Sequence, residues 1–172
     1  MEKAKSDSTV EAGPFGYQPV YLIDTSVILP CLWKATKPSH LKLLERLSEE
    51  EPPSISVISC FEVLAGTVQE YLEANRRFLN GFRMIEVTQE IADIAGRLYY
   101  RWAKKGSVLP SNDLLIGASA AAHGLILVTK NAKHFPYLKD LDEYEIEYQS
   151  RSGRKTTEVI HLLNEPRDLF LA

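Results

Sequence analysis

The chain predicts an α/β domain whose mostly parallel central sheet is covered on both faces by helices. Short apolar-rich runs near residues 20–23, 55–58 and 125–128 lack the polar alternation of a half-solvated strand and suit interior parallel strands. Segments of helical periodicity separate those runs, and strands alternating with helices are the mark of crossover connections. At 172 residues, 45% hydrophobic and 25% charged, the chain has the composition of an ordinary globular domain with a core of its own.

Residues 1–19 mix lysine, glutamate, serine, aspartate, glycine and proline without periodicity and read as a flexible tail. Order is expected from Val20. After the first strand, residues 25–33 read as a short helix. Residues 38–50 read as an amphipathic one, with Leu41, Leu44 and Leu47 on a single face and Pro52 and Pro53 as its stop. The second strand passes into a helix expected from Cys60 to about Asn80, broken near Gly66. Residues 83–87 make a third strand. Thr88 has the chemistry of an N-cap, and Ile91, Ile94, Ala95 and Leu98 form the apolar stripe of a long helix ending near Gly106. Ser111 is expected to cap the next helix and Gly124 to close it, before the strand at 125–128.

Bulk properties exclude several classes. No apolar run approaches the roughly 18 residues that cross a bilayer, and the first nineteen positions lack a signal peptide's apolar core, so a cytoplasmic protein is expected. Cys31 and Cys60 follow no zinc spacing and read as free thiols. A net charge of −3 argues against indiscriminate adhesion to nucleic acid, though not against a metal that makes an acidic pocket attractive to phosphate.

Three acids carry the functional signal. Asp24 directly follows the first strand, while Glu62 and Asp113 both fall in what read as first helical turns, where the helix dipole favours negative charge. In open sheets of this kind ligands gather at the carboxyl ends of the strands, and residues 129–131 stand at that edge too. Acids this close to a core are costly unless something positive lies between them, so Asp24, Glu62 and Asp113 are expected to hold a divalent cation. No nucleophile–histidine pairing and no glycine-rich phosphate loop is legible, which leaves hydrolysis by metal-activated water.

Four motifs in order, Ile23-Asp24-Thr25-Ser26, the helix start at residues 59–66, Asp113-Leu114-Leu115-Ile116-Gly117-Ala118, and Leu127-Val128-Thr129-Lys130-Asn131 followed by His134-Phe135, resemble the PIN-domain nucleases. Among them the chain looks most like the ribonuclease toxins of VapBC toxin-antitoxin modules. The resemblance covers about residues 20–137 and implies a PIN-like three-layer α/β/α sandwich. It also implies an endoribonuclease dependent on Mg2+ or Mn2+, inhibited by an antitoxin and often dimeric. Carried across, Asp24, Glu62 and Asp113 match the family's acidic metal ligands, and Asn131 stands where many members have a fourth acid. An amide there offers a neutral oxygen and no charge toward a second cation. His134 also occupies a place where an acid is frequent, and is expected to pack under the adjoining loop. Thr25, Ser26 and Thr129 are expected to support the ligands through hydrogen bonds.

Lys34, Lys37, Lys130 and Lys133 are candidates for RNA backbone contacts, and Tyr99, Tyr100 and Trp102 for a dimer, antitoxin or base-stacking surface. The domain is expected to span 20–140. Residues 141–172 are expected to form a C-terminal extension, in which 144–148 alternate like a strand, 151–155 turn and 156–163 return, a β-hairpin extending the sheet edge. Two other readings stay open here: an RNA-binding or regulatory module with weak or no turnover, encouraged by Asn131, and a DNA-directed or structure-specific nuclease.

Overall fold

The structure is a computed structural model that describes residues 21–32, 37–49, 51–149 and 152–164, with only the backbone of Lys37 and Gln149. The expectations for residues 1–19, for Lys34 and for Arg151 lie outside these, as does that for the Lys37 side chain.

Strand β1 (Tyr21–Ile23) leads into α1 (Thr25–Leu32) and α2 (Lys37–Leu47), then β2 (Ser54–Ser56), α3 (Val57–Ala65), a 3-10 turn and α4 (Leu72–Leu79). Next come β3 (Arg83–Ile85), α5 (Gln89–Ala103), α6 (Ser111–His123) and β4 (Ile126–Thr129). A second 3-10 turn (Ala132–His134) precedes the hairpin β5 (Lys139–Gln149) and β6 (Lys155–Asn164). The sheet order is β3-β2-β1-β4-β6-β5. The first four strands in that order run parallel, and the hairpin joins antiparallel, β6 alongside β4.

Period-two geometry explains why β1 and the first three residues of β4 are apolar at successive positions. In β1, Leu22 enters the core beneath α5 and α6, while its neighbour Ile23 enters the core beneath α1, α2, α3 and α4. In β4, Leu127 and Val128 divide in the same way. Each strand thus feeds two cores, and helices close both, as the sequence predicts.

Several element boundaries differ from expectation by a few residues, and two helix starts differ in how they are capped. The helix after β2 begins at Val57 rather than Cys60, because the Ser56 hydroxyl accepts the Ile58 N–H at 3.2 Å and caps the helix there. Glu62 therefore lies in the second turn, beyond the favourable end of the dipole. Ser111 is the first residue of α6 and makes no capping bond; Pro110 occupies the N-cap position. Thr88 does cap α5, accepting from the Ile91 N–H at 3.3 Å, and Gly124 closes α6 at φ 62°, a left-handed conformation that suits glycine.

Candidate functional site

The carboxyl ends of β1 and β4 lie side by side because their strands are parallel neighbours in register, Ile23 opposite Val128. The Asp24 N–H continues the ladder onto the Val128 carbonyl at 2.9 Å, and the Asp24 carbonyl starts α1 by accepting from Val27 and Ile28. The Asp24 side chain is thereby fixed at the strand end, 3% exposed. Its Oδ2 accepts from the Ser26 hydroxyl and, at 2.7 Å, from the Thr129 hydroxyl. Burial pushes its carboxyl up from the ordinary value, and the bonds from Ser26 and Thr129 only partly oppose this.

Glu62 reaches the same place from α3, and each oxygen has its own donor. Thr25 donates its hydroxyl to Oε2, and Asn112 donates its amide to Oε1 at 2.8 Å. Asp113 sits in the first turn of α6 with its Oδ2 2.8 Å from His134 Nδ1. Burial raises its carboxyl, the charge of Asp24 raises it further, His134 lowers it, and Glu62 adds to the rise. Asn131 follows β4. Its N–H donates to the Thr129 hydroxyl at 3.0 Å, and its carbonyl accepts from the His134 N–H at 2.8 Å.

Asp24, Glu62, Asp113 and Asn131 line one open cavity of about 540 Å³, with Thr25, Ser26 and His134 beside them and Leu29, Phe61 and Ala65 at its apolar wall. Among the described residues, neither lysine nor arginine lines it. The donors are carboxylate, amide and hydroxyl oxygens, the hard set that magnesium-like cations prefer. Two carboxyls held above their usual range, both by burial and Asp113 also by the charge of Asp24, fit an added positive charge. The acids stand wider than a closed ligand shell. Among the described residues only Asp140, Glu143 and His161, on the hairpin, have ligating atoms all within 4.8 Å of one another. The wider spacing suits a cation that keeps several waters.

Sequence reasoning missed Asn112 and misread His134. His134 lines the cavity and bonds Asp113 instead of packing under its loop. Lys130, a candidate RNA contact, is partly buried, and its Nζ lies 2.7 Å from Glu158 Oε2 on β6. Lys155, in the basic tip of the hairpin, likewise pairs across the strands with Glu147 at 2.7 Å. Tyr99 and Tyr100 are exposed, while Trp102 packs edge-on against Tyr137 at 5.7 Å. Both cysteines are free, and no described helix is long and apolar enough to cross a membrane.

Comparison with known proteins agrees with this geometry. The PIN domain family model matches residues 21–141. Ribonuclease VapC19 of Mycobacterium tuberculosis is 32% identical over 120 residues, which cover 70% of this chain and 95% of that protein. The crystal structure of VapBC2 from Rickettsia felis bound to a DNA fragment from their promoter superposes with TM-score 0.61 at 26% identity, covering 68% of this chain and 92% of that one. A toxin-antitoxin complex from Klebsiella pneumoniae gives TM-score 0.54 at 31% identity over 67% and 89% of the two chains. With four separated segments converging on an oxygen-lined cavity and a family match across most of its length, the chain belongs to the PIN-domain family.

Proposed function

We propose that this protein is a divalent-metal-dependent endoribonuclease, the toxin of a type II toxin-antitoxin module, with Asp24, Glu62 and Asp113 as metal ligands and Asn131 at the fourth position. The observation that carries the reading is the convergence of three acids from three elements on one cavity, with no lysine or arginine among its described lining. Mg2+ or Mn2+ held there would polarise the scissile phosphate and lower the pKa of an attacking water. The chain's own residues do the rest. Ser26 and Thr129 keep Asp24 aimed, Thr25 and Asn112 orient Glu62, and His134 holds Asp113. Asn131 presents a neutral oxygen, so a single strongly held cation is the expected occupancy.

In this reading the RNA substrate meets the open cavity mouth, past Phe61. Residues 20–140 form the nuclease and 141–172 an extension, whose described strands β5 and β6 join its sheet. The protein acts in the cytoplasm, as a homodimer, restrained by a cognate antitoxin; similarity to VapBC and toxin-antitoxin complexes supports that partner.

The test is cleavage of a mixed transfer and ribosomal RNA pool by the purified, partner-free protein in magnesium, manganese or EDTA, beside Asp24→Asn and Asp113→Asn. Metal-dependent cuts lost in both variants are expected. A folded protein that binds the RNA but cuts none would favour the binding-module reading, with Asn131 its first explanation.

A further inference from the structure

The hairpin lies almost wholly beyond the segment the family model matches, which ends at residue 141, yet β6 pairs directly with β4, the strand that delivers residues 129–131 to the cavity. Glu158 on β6 gathers three donors. One oxygen lies 2.7 Å from Lys130 Nζ and 3.1 Å from His40 Nε2, and the other accepts the Tyr148 hydroxyl at 2.7 Å. His40 is fully buried in α2. Burial pushes the Glu158 carboxyl up, but the bonds from Lys130 and Tyr148 and the charges of Lys130 and His40 outweigh it and hold it below the usual range. A second tie runs nearby, where the Ser39 hydroxyl donates to the Glu147 carbonyl at 3.0 Å and fastens α2 to β5.

From Lys130 the path to the cavity is one residue long in either direction. Its N–H donates to the Ser26 hydroxyl at 3.0 Å, and that hydroxyl donates to Asp24. Thr129 on one side holds Asp24, and Asn131 on the other lines the cavity. Even largely buried ion pairs such as Lys130–Glu158 and His40–Glu158 are weak evidence of net stability, so a carboxylate that collects this many donors is better explained by what it orients. We propose that Glu158 is a positioning residue: by holding Lys130 it sets residues 129–131, and through them Asp24 and Asn131, making the C-terminal hairpin a working part of the cation site. This rests on the site reading given above.

The experiment measures Mn2+ affinity of the full chain by paramagnetic resonance, with circular dichroism and thermal unfolding alongside, for wild type, Glu158→Gln, Lys130→Met, their double variant, Tyr148→Phe and Asp113→Asn. Glu158→Gln is expected to weaken Mn2+ binding about tenfold, the lower end for residues that orient ligands. Lys130→Met should cut the same tether from the loop side and give the same loss even where Glu158→Gln folds poorly. The double variant should lose no more than the worse single one. Tyr148→Phe, which leaves the Lys130 pair intact, should lower the unfolding temperature without changing Mn2+ affinity. Wild-type affinity in folded Glu158→Gln or Lys130→Met, or losses that simply add, would overturn the proposal while leaving the site reading standing. Absence of any Mn2+ binding that Asp113→Asn removes would defeat the site reading, and this inference with it.

Discussion

Replacing Gly117 by alanine tests whether α6, and Asp113 one turn earlier on it, sits where described. In a helix interior the change should help by about 1 kcal/mol, since glycine is the poorer helix former. Here a Cβ would meet Tyr137 Oη at 2.1 Å, Cζ at 2.9 Å and Phe135 Cδ1 at 3.0 Å. The hydroxyl has no room to swing aside. Tyr137 and Phe135 are 3% and 1% exposed, and the Tyr137 ring is braced by Trp102 at 5.7 Å and Phe135 at 6.4 Å. Overpacking of a tight core costs roughly 1–3 kcal/mol, and this overlap belongs at the upper end. Displacing Tyr137 also forfeits its hydrogen bond to the Asp113 carbonyl, worth about 1 kcal/mol at most given its 3.4 Å length. Against the propensity gain, the net loss is about 2–3 kcal/mol, or roughly 4–12 °C in unfolding temperature for a domain of this size. Urea and thermal denaturation followed by circular dichroism would measure it. Adding Tyr137→Phe removes the 2.1 Å overlap but not the 2.9 and 3.0 Å contacts, so about half the loss should return. A Gly117→Ala protein as stable as wild type would refute the packing of α6 on Tyr137, and the placement of Asp113 with it.

Asp113→Asn should unfold no earlier than the cation-free wild type, because it removes a charge that burial and Asp24 disfavour, yet it should lose the stabilisation by Mn2+. At free Mn2+ about 100 times the dissociation constant that stabilisation is roughly 2.7 kcal/mol, and a thermal shift surviving in the variant would contradict the ligand assignment. The pH dependence has a definite sign. Asp24 and Asp113 titrate above the unfolded value of 3.8, so the penalty for charging them is present at neutral pH and disappears as pH falls through their folded values toward 3.8. An Asp24→Asn/Asp113→Asn protein should therefore be more stable than cation-free wild type at pH 7, by a margin that narrows on acidification; a margin that widens in urea midpoints would oppose this. Thr129→Val takes a 2.7 Å donor from buried Asp24 and should cost about 1–3 kcal/mol in chemical denaturation, and a neutral result would mean that water replaces the hydroxyl. Asn131→Asp adds an acid to the cavity and should tighten Mn2+ binding while lowering cation-free stability; calorimetry showing weaker binding would place Asn131 away from the ion.

Local chemistry made part of this site legible. Asp24 stands out because an interior strand ends on an acid, and Asp113 because it follows a helix start, features encoded within a few residues. Glu62 was identified with the wrong surroundings: β2 is only three residues long, and the serine that ends it lies inside an apolar-rich run with no change of period to mark the turn. The hairpin shows in the alternation at residues 144–148, but not its antiparallel seat against β4, which tertiary pairing decides. Least legible are the partnerships between distant residues. Nothing near Asn112 announces that its amide reaches Glu62 fifty positions away, and nothing near Lys130 names Glu158. Such bonds depend on the register of the whole sheet, and they decide which polar side chains are working parts and which are surface.

The central place of β1 in the sheet has a consequence for the order in which the protein is made. Asp24 emerges early, but the Thr129 hydroxyl that holds it lies 105 residues later, on a strand that must dock against β1. At typical synthesis rates of about 5–20 residues per second, roughly 5–20 s separate the two. Throughout that interval the acids from β1 and α3 exist without the wall that closes their cavity, and a chain halted before residue 129 has nothing to hold Asp24 from that side. Competence thus arrives late in translation, once β4 has docked beside the first strand and β6 beside β4.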